Sequence, residues 1–196
     1  MAKLSIDAVG DIWRMIDRTI WIVTASDGTR HGGLVATCVV QSSNQLAQPG
    51  VLVGLTPMHF TCDLVLSAGA YGLHLLRPDQ AALAWNFCLD SGRERDKLAG
   101  LAVTEQSTGS PILNDCLAWM DCRVLTRYTA GDRVYFFSEV VAAQKVSEYP
   151  PLSVKQLTGG ATAEQLQALQ AGLEADIAAM EQARCVWRAG LNAVDR

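Results

Sequence analysis

Short runs of β-branched and aromatic residues, separated by turn residues, fill most of the first 145 positions, and this pattern is typical of β-strands. Asp27-Gly28 lies between two such runs and strongly favours a hairpin turn, and Gly131-Asp132 marks a second turn. Because strands dominate, the spacing favours an antiparallel barrel over a parallel sheet. The strands predicted in this way cover residues 20–24, 31–43, 51–55, 71–76, 116–128 and 134–143.

Three short helices are also predicted: the first from helical spacing of apolar residues, the second from its terminal residues, and the third from Pro78 in a first-turn position. Thr61 is expected to be the N-cap of the second helix, and Gly69 to end it. The remaining charged and polar stretch between the helices and the last hairpin is predicted to be a loop. The three helices are expected at residues 6–16, 61–68 and 78–87, and the loop at residues 90–112.

Beyond Pro150-Pro151 the pattern changes to that of one long amphipathic helix, expected over residues 162–192. Thr162 and Gln165 resemble a capping box at its start. Its apolar stripe must pack against the barrel or against a second subunit. The sequence thus predicts a mostly β domain with flanking helices at residues 1–150, followed by a linker and this helix at residues 151–196. The stripe consists of Leu166, Leu169, Leu173, Ile177, Met180, Trp187 and Leu191.

Composition excludes several classes of function. The chain has 16 Lys and Arg against 20 Asp and Glu, a net charge of −4, which argues against binding nucleic acid. No apolar run approaches the roughly 18 residues that a membrane span needs. Asp7 and Asp11 fall where a signal peptide would be apolar, so a cytoplasmic protein without a membrane partner is expected.

The cysteines and histidines suggest neither disulfides nor a metal site. No two of the six cysteines form a CxxC pair, and most lie in apolar segments, so buried thiols are expected. His31, His59 and His74 are too scattered for a local metal signature. Dinucleotide-binding, P-loop and nucleophile-elbow motifs do not occur either, and no catalytic side chain stands out.

One stretch does suggest a binding site, namely HGGLVATCVVQSS at residues 31–43. Gly32 and Gly33 allow close approach to the main chain, and small residues beyond them let amides and hydroxyls converge on an anion. The alternative is a strand that bulges at its glycines and packs against its neighbours. Both interpretations remain open on the residues alone.

Six motifs in order resemble the flavin reductase-like proteins, which are FMN-binding split barrels. They are IWIVTASDGTRHGGLVATCVVQSS with PGVLVGL, Thr61 before DLVLSAGAYGLHLL, FCLDSGRERDKLAGL, SPILNDCLAWMDCRV and GDRVYFFSEV. The resemblance covers about residues 8–145, and the following PPLSVKQL is similar to the branch that works with rubredoxins and flavodiiron proteins. It implies a split β-barrel and a homodimer with FMN at the subunit interface. It also implies NADH or NADPH as the reductant docking over the flavin.

The resemblance also implies which residues bind the cofactor. The run from residue 36 to residue 43 would hold the flavin edge, the ribityl chain and the phosphate, although a cysteine and a glutamine replace the usual serines. The loop before the second helix would close over the phosphate. The residues concerned are Ala36, Thr37, Cys38, Gln41, Ser43, His59, Phe60 and Thr61.

Two further parts of the family pattern carry positive charge. Arg93, Arg95 and Lys97 lie in SGRERDK and are expected near a phosphate, unless Glu94 and Asp96 pair with them on a solvated loop. Arg133 stands where many family members have a histidine near the flavin. An arginine can meet an anionic flavin or a phosphate, but it cannot shuttle a proton.

The implied function is NAD(P)H:flavin oxidoreductase, with hydride transfer from the nicotinamide to FMN. Electrons would then pass to a partner such as an oxygenase, a rubredoxin or a flavodiiron-like protein. Two alternatives remain at this point. One is an electron-transfer flavoprotein that does not use NAD(P)H directly, and the other is a split-barrel binding module that has lost FMN.

Overall fold

The structure is a computed structural model that describes residues 5–194, and the side chains of residues 5–191. Within that range the helices are α1 Ile6–Met15, α2 Phe60–Ala68, α3 Ala81–Cys88, α4 Val154–Gly159 and α5 Ala163–Val194. The strands are β1 Trp21–Ser26, β2 His31–Ala36, β3 Val39–Gln41, β4 Gly50–Leu55, β5 Ala70–Leu75, β6 Val103–Glu105, β7 Pro111–Leu113, β8 Ala118–Ala130 and β9 Arg133–Lys145. No helix of this part of the chain is long and apolar enough to cross a membrane.

Seven strands form one antiparallel sheet in the order β2-β1-β5-β8-β9-β4-β3. The predicted mostly β split barrel with a long C-terminal helix is therefore confirmed. The strands β8 and β9, each 13 residues long, form the central hairpin. Strands β2 and β3 are the two edges, although they follow each other directly in sequence.

The stretch predicted as one strand at residues 31–43 is two strands, because the chain changes partner in the middle. Ala36 is the last residue paired with β1, opposite Trp21. Val39 is the first residue paired with β4, opposite Val53. Residues 37–38, here called the junction, belong to neither ladder.

Apolar side chains pack on both sides of the sheet. On one side, α2 covers a cluster that includes Tyr71 and Phe136, both 1% exposed. On the other, Trp85 of α3 and Leu157 of α4 pack with Ile22 of β1. Burial on both faces explains why the sheet strands are more continuously apolar than simple alternation predicts.

The predicted loop at residues 90–112 is partly wrong, because it contains β6 and leads into β7, which pair with each other. The segment between them closes over the start of β8. Asp121 is fully buried there, and its carboxylate accepts hydrogen bonds from the backbone N–H of Thr108 at 2.9 Å and from the Thr108 hydroxyl. A buried carboxylate needs such donors, so this polar residue belongs to the fold.

His74 is also part of the core and not of a metal site. Its Nδ1 contacts the carbonyl of Ile22 at 3.2 Å, and its Nε2 accepts from the N–H of Leu113 at 3.1 Å. These contacts require the neutral ring with the proton on Nδ1. Burial lowers the pKa of His74 to about 4.

Two local predictions are wrong. Thr61 is not the N-cap of α2: the helix begins at Phe60, His59 precedes it, and the buried Thr61 lies in the first turn. Not all cysteines are buried, since Cys185 on α5 is exposed and Cys38 and Cys88 are half-buried. The thiols of all six cysteines are free.

Candidate functional site

Gly32 and Gly33 make room for aromatic side chains of the core. A β-carbon on Gly33 would lie 2.6 Å from the ring of Phe87, and one on Gly32 would lie 3.2 Å from the ring of Phe60. Side chains cannot approach so closely, so glycine is required at Gly33 by packing. The sequence left open whether these glycines expose the main chain to an anion or allow close packing. The structure supports close packing for the two glycines.

The junction links β2 and β3, the two edge strands of the sheet. The Cys38 carbonyl accepts a hydrogen bond of 2.9 Å from the N–H of Gly54 on β4. A β-carbon on Gly54 would lie 2.7 Å from the sulfur of Cys38 and 3.0 Å from the ring of Tyr135. Thr37 and Cys38 are half-buried, and the close packing of the Cys38 sulfur and the Tyr135 ring on Gly54 requires a glycine there.

Arg18 reaches the junction, and sequence reasoning missed it. Its Nη1 donates a hydrogen bond of 3.1 Å to the hydroxyl of Thr37. The backbone beside it is held because the Arg18 carbonyl accepts from the N–H of Val154 at 2.8 Å. No local pattern marks Arg18, because its partner lies 19 residues away in sequence.

Gln41 and Ser43 lie further along, where β3 gives way to a loop. The Gln41 amide donates to the Ser43 carbonyl at 2.7 Å, and the Ser43 hydroxyl accepts from the N–H of Gln45 at 3.1 Å. These contacts shape the loop itself. Ala36, at the end of β2, is buried in the core.

The turn at residues 56–59, here called the connecting turn, links β4 to α2 and collects contacts from three other segments. The hydroxyl of Thr56 accepts from Nη1 of Arg133 at 2.5 Å. The carbonyl of Met58 accepts from Nη1 of Arg93 at 3.0 Å. His59 Nε2 lies 2.9 Å from a carboxylate oxygen of Asp176 on α5. The structure thus brings Arg133, Arg93 and His59 together around the start of α2.

The three basic residues of SGRERDK have different surroundings. Arg93 also forms an ion pair of 2.5 Å with Asp63 on α2. Arg95 donates to Asp90 at 2.9 Å and to both oxygens of Asn86, so it braces its own loop. Lys97 is buried, its ammonium donates to the carbonyl of Phe87 at 2.9 Å, and burial lowers its pKa. Only Arg93 of the three reaches the connecting turn.

A cavity of about 520 Å³ opens beside this loop, with the β1–β2 turn as its other wall. The guanidinium carbons of Arg30 and Arg93 lie 5.4 and 5.5 Å from the centre of the Phe60 ring, which is the range of cation–π contacts. Arg30, which sequence reasoning also missed, is bound to Asp27 through its Nε and Nη2. The lining residues are Thr29, Arg30, His31, Phe60, Gly92, Arg93, Glu94, Arg95 and Asp96.

Helix α5 lies against the end of the barrel that carries the connecting turn. Besides the contact of Asp176 with His59, Trp187 and Arg184 flank the turn between β8 and β9, since a β-carbon on Gly131 would lie 3.6 Å from the Trp187 ring. Met180 is buried. The predicted apolar stripe therefore packs in part on this chain's own barrel.

The arrangement favours binding over side-chain catalysis. Burial raises the pKa of the Cys62 and Cys116 thiols to about 11, so neither is a thiolate near neutral pH. Within residues 5–194, no group of three or more His, Cys, Asp or Glu side chains could hold a metal ion. The groups that do converge are arginines, a histidine and small hydroxyls around a helix start, which suit an anionic ligand.

Several known proteins are similar to this chain. A high molecular weight rubredoxin of Moorella thermoacetica is 26% identical over 166 residues, covering 82% of this chain and 72% of that protein. The reductase component of a 4-nitrophenol monooxygenase of Rhodococcus opacus is 35% identical over 126 residues, 64% of each chain. A diflavin flavoprotein of Nostoc is 27% identical over 123 residues, 62% of this chain, which spans only 21% of that relative.

Solved structures share the fold. A flavin reductase from Haemophilus somnus superposes with a TM-score of 0.68 at 20% identity, covering 76% of this chain and 94% of that one. The model of the flavin reductase like domain matches residues 13–156, which include the whole seven-stranded sheet but not α5. The chain therefore belongs to the flavin reductase-like domain family.

Proposed function

We propose that this protein is an FMN-binding, NAD(P)H-dependent flavin reductase that passes electrons to a partner protein. One observation carries the proposal: the junction, the connecting turn, Arg93 and Arg133 converge around the end of β4 and the start of α2. This group combines small hydroxyls with two guanidiniums and a helix N-terminus. Such donors match a molecule with a polyol chain and one phosphate.

The residues fit a flavin in the order expected along the molecule. The flavin edge and ribityl chain would lie beside the junction, against the hydroxyl of Thr37. The phosphate would lie at the connecting turn, near His59 and the first turn of α2. Thr61 would contribute through the backbone of that turn, while Lys97 would support the loop from beneath.

The chain's part in the reaction is binding and orientation. Hydride transfer from the nicotinamide to the flavin is chemistry that the cofactors supply themselves. The protein holds the two rings in contact and keeps water away, which requires no tuned acid or base. Arg133 is fixed by Thr56 and adds a positive charge that stabilises an anionic ligand.

The spectrum of the purified protein tests this proposal. We expect a yellow protein that releases FMN, and bleaching within seconds when NADH or NADPH is added without oxygen. A protein that holds no flavin and takes up none when it is offered would contradict the proposal and favour the binding-module alternative.

Arg133 favours a second candidate function, an electron-transfer flavoprotein reduced by another protein. The usual histidine is absent from this position, and a similar protein is named a rubredoxin. Retained yellow colour after anaerobic NADH and NADPH, followed by bleaching with reduced rubredoxin, would identify this function.

We further propose that the protein is a homodimer. The outer halves of β8 and β9 expose Leu125, Tyr128 and Phe137, which are 65%, 55% and 43% accessible, on one continuous hairpin. Exposed apolar groups of this size mark an interaction surface. Sedimentation of the holoprotein should give about twice the mass of one chain, and a monomer at micromolar concentration would contradict this.

A further inference from the structure

We propose that Asp176 competes with the flavin phosphate at the connecting turn and thereby determines how strongly this protein prefers FMN to riboflavin. The inference rests on the proposed flavin site and concerns the specificity of that site. Asp176 belongs to α5, which lies beyond the matched residues 13–156. Its contact therefore joins the matched domain to a segment outside it.

One face of α5 holds Asp176 against the barrel. Asp176, Met180, Arg184 and Trp187 follow one another at steps of four, four and three residues, which places them on one side of the helix. Met180 is buried, and Arg184 and Trp187 lie against Gly131. The packing of the helix on both sides of Gly131 thus directs the carboxylate towards the connecting turn.

The burial of Asp176 is the reverse of what hydropathy alone predicts. Leu173 and Ile177, on the predicted apolar stripe, are exposed, whereas Asp176 is half-buried. A half-buried acid beside exposed apolar residues indicates a specific polar contact. Asp176 makes this contact with His59, whose Nε2 lies 2.9 Å from one carboxylate oxygen and 3.1 Å from the other.

Two basic groups at the connecting turn already have acidic partners. Arg93 pairs with Asp63 at 2.5 Å, and Asp63 belongs to the first turn of α2 itself. His59 instead pairs with Asp176, which lies 117 residues away in sequence on a separate helix. Asp176 is therefore the partner that a local shift of α5 can withdraw from the turn.

A phosphate that binds at this turn competes with Asp176 for His59 and is repelled by its negative charge, since like charges this close repel each other even in water. Arg93 at Met58 and Arg133 at Thr56 offset part of this repulsion, so binding is weakened but not prevented. Riboflavin has the same ring and ribityl chain without the phosphate. Asp176 should therefore weaken the binding of FMN and leave that of riboflavin unchanged.

The variant Asp176→Asn tests the inference, with Glu181→Gln as the matched control. Asparagine keeps the size of the side chain and an oxygen that accepts hydrogen bonds, and it removes the charge. Glu181 is an exposed acid on the same helix and contacts Cys185 one turn away. Thermal unfolding checks that both variants are folded, and quenching of flavin fluorescence gives the affinities for FMN and riboflavin.

We expect Asp176→Asn to bind FMN about fivefold more tightly and riboflavin within about twofold of the parent protein. Glu181→Gln should change neither affinity by more than about twofold. An equal gain for both flavins would make α5 a steric cover and overturn the inference, as would an FMN affinity that stays at or falls below the parent value. A parent protein that binds neither flavin refutes the proposed function, and this inference with it.

Amide exchange of the parent protein gives a second readout. Because FMN displaces Asp176 and riboflavin does not, the backbone of α5 around Asp176 should exchange faster with FMN bound than with riboflavin bound. Equal or slower exchange with FMN would show that the phosphate and Asp176 do not compete.

Discussion

The two ends of β2 are built differently. At the junction, the Cys38 sulfur packs closely on Gly54, and Arg18 donates a hydrogen bond to the hydroxyl of Thr37. At the cavity, two guanidiniums flank an aromatic ring, and aspartates pair with both of them. The junction depends on shape, whereas the cavity depends on charge.

This difference shows that the two ends of one strand can be held by different forces. Close packing determines what fits beside Gly54, so a single added carbon changes the junction. Exposed ion pairs are individually weak and are screened by salt. The contacts that line the cavity should therefore be sensitive to ionic strength, and the packing at the junction should not be.

The largest expected effect is a loss of the junction's shape. Gly54→Val puts carbon where the Cys38 sulfur and the Tyr135 ring already lie, so we expect about 1–3 kcal/mol of destabilisation and loss of flavin binding. Urea unfolding and flavin titration measure the two effects. Gly172→Ala, which has open space on α5, is the control. Unchanged flavin affinity in Gly54→Val would show that the junction is not part of the site.

Lowering the pH should reduce the stability of the fold, through His74, before it neutralises the carboxylates beside the cavity. His74 has a folded pKa of about 4 against roughly 6.5 when unfolded, so the unfolded state binds the proton first as the pH falls. Its contribution is intact above pH 6.5, and about 3 kcal/mol of stability should be lost as the pH drops towards 4. Urea unfolding from pH 7 to 4 measures this.

The carboxylates of Asp27 and Asp96 beside the cavity should stay ionised over the same range. Hydrogen bonds from Arg30 lower the pKa of Asp27, and that of Asp96 is also lowered, by the Leu98 N–H and by His31. The variant His74→Gln should flatten the acid dependence of stability. If the stability of His74→Gln still falls with pH as steeply as that of the parent protein, a group other than His74 causes the acid sensitivity.

Arg93 links the connecting turn to the cavity, because it donates to the Met58 carbonyl and lines the cavity. In the proposed site it lies near the flavin phosphate, so Arg93→Gln should weaken FMN binding about tenfold. Fluorescence titration with FMN measures this. An unchanged FMN affinity would show that Arg93 does not contact the phosphate.

The smallest effect is expected at α5. Asp176→Asn weakens the polar contact with His59, which at this exposure contributes about 0.5 kcal/mol, and should speed amide exchange near the middle of the helix. Glu181→Gln on the same helix, where the carboxylate accepts a hydrogen bond from the Cys185 thiol one turn away, is the matched control. Equal exchange in both variants would mean that the apolar contacts alone anchor α5.

Much of the secondary structure could be predicted because it depends on short-range patterns. The hairpin at Asp27-Gly28 and the long helix after Thr162 are both confirmed. The strand at residues 31–43 was predicted whole, because nothing in its composition marks the change of partner at residue 37. The wrong cap at Thr61 has a similar reason, since His59 starts α2 without any side-chain hydrogen bond.

The candidate site was harder to predict because charged residues look alike in sequence. Arg93, Arg95 and Lys97 lie in one motif, yet one reaches the connecting turn, one braces its own loop and one is buried. Arg18 lies outside the quoted motifs, and Arg30 lies within the first of them without a predicted role, yet Arg18 contacts the junction and Arg30 lines the cavity.

The amino-acid sequence by itself determined the strands, the turns, the long helix and the family, because periodicity and ordered motifs are local properties of the chain. Only the tertiary structure decided which arginines face the candidate site, where α5 packs, and that a cavity opens beside Phe60. The physical reason is that a charged side chain has no preferred surroundings until distant segments meet. Its partners, and hence its role, come from packing between elements far apart in sequence.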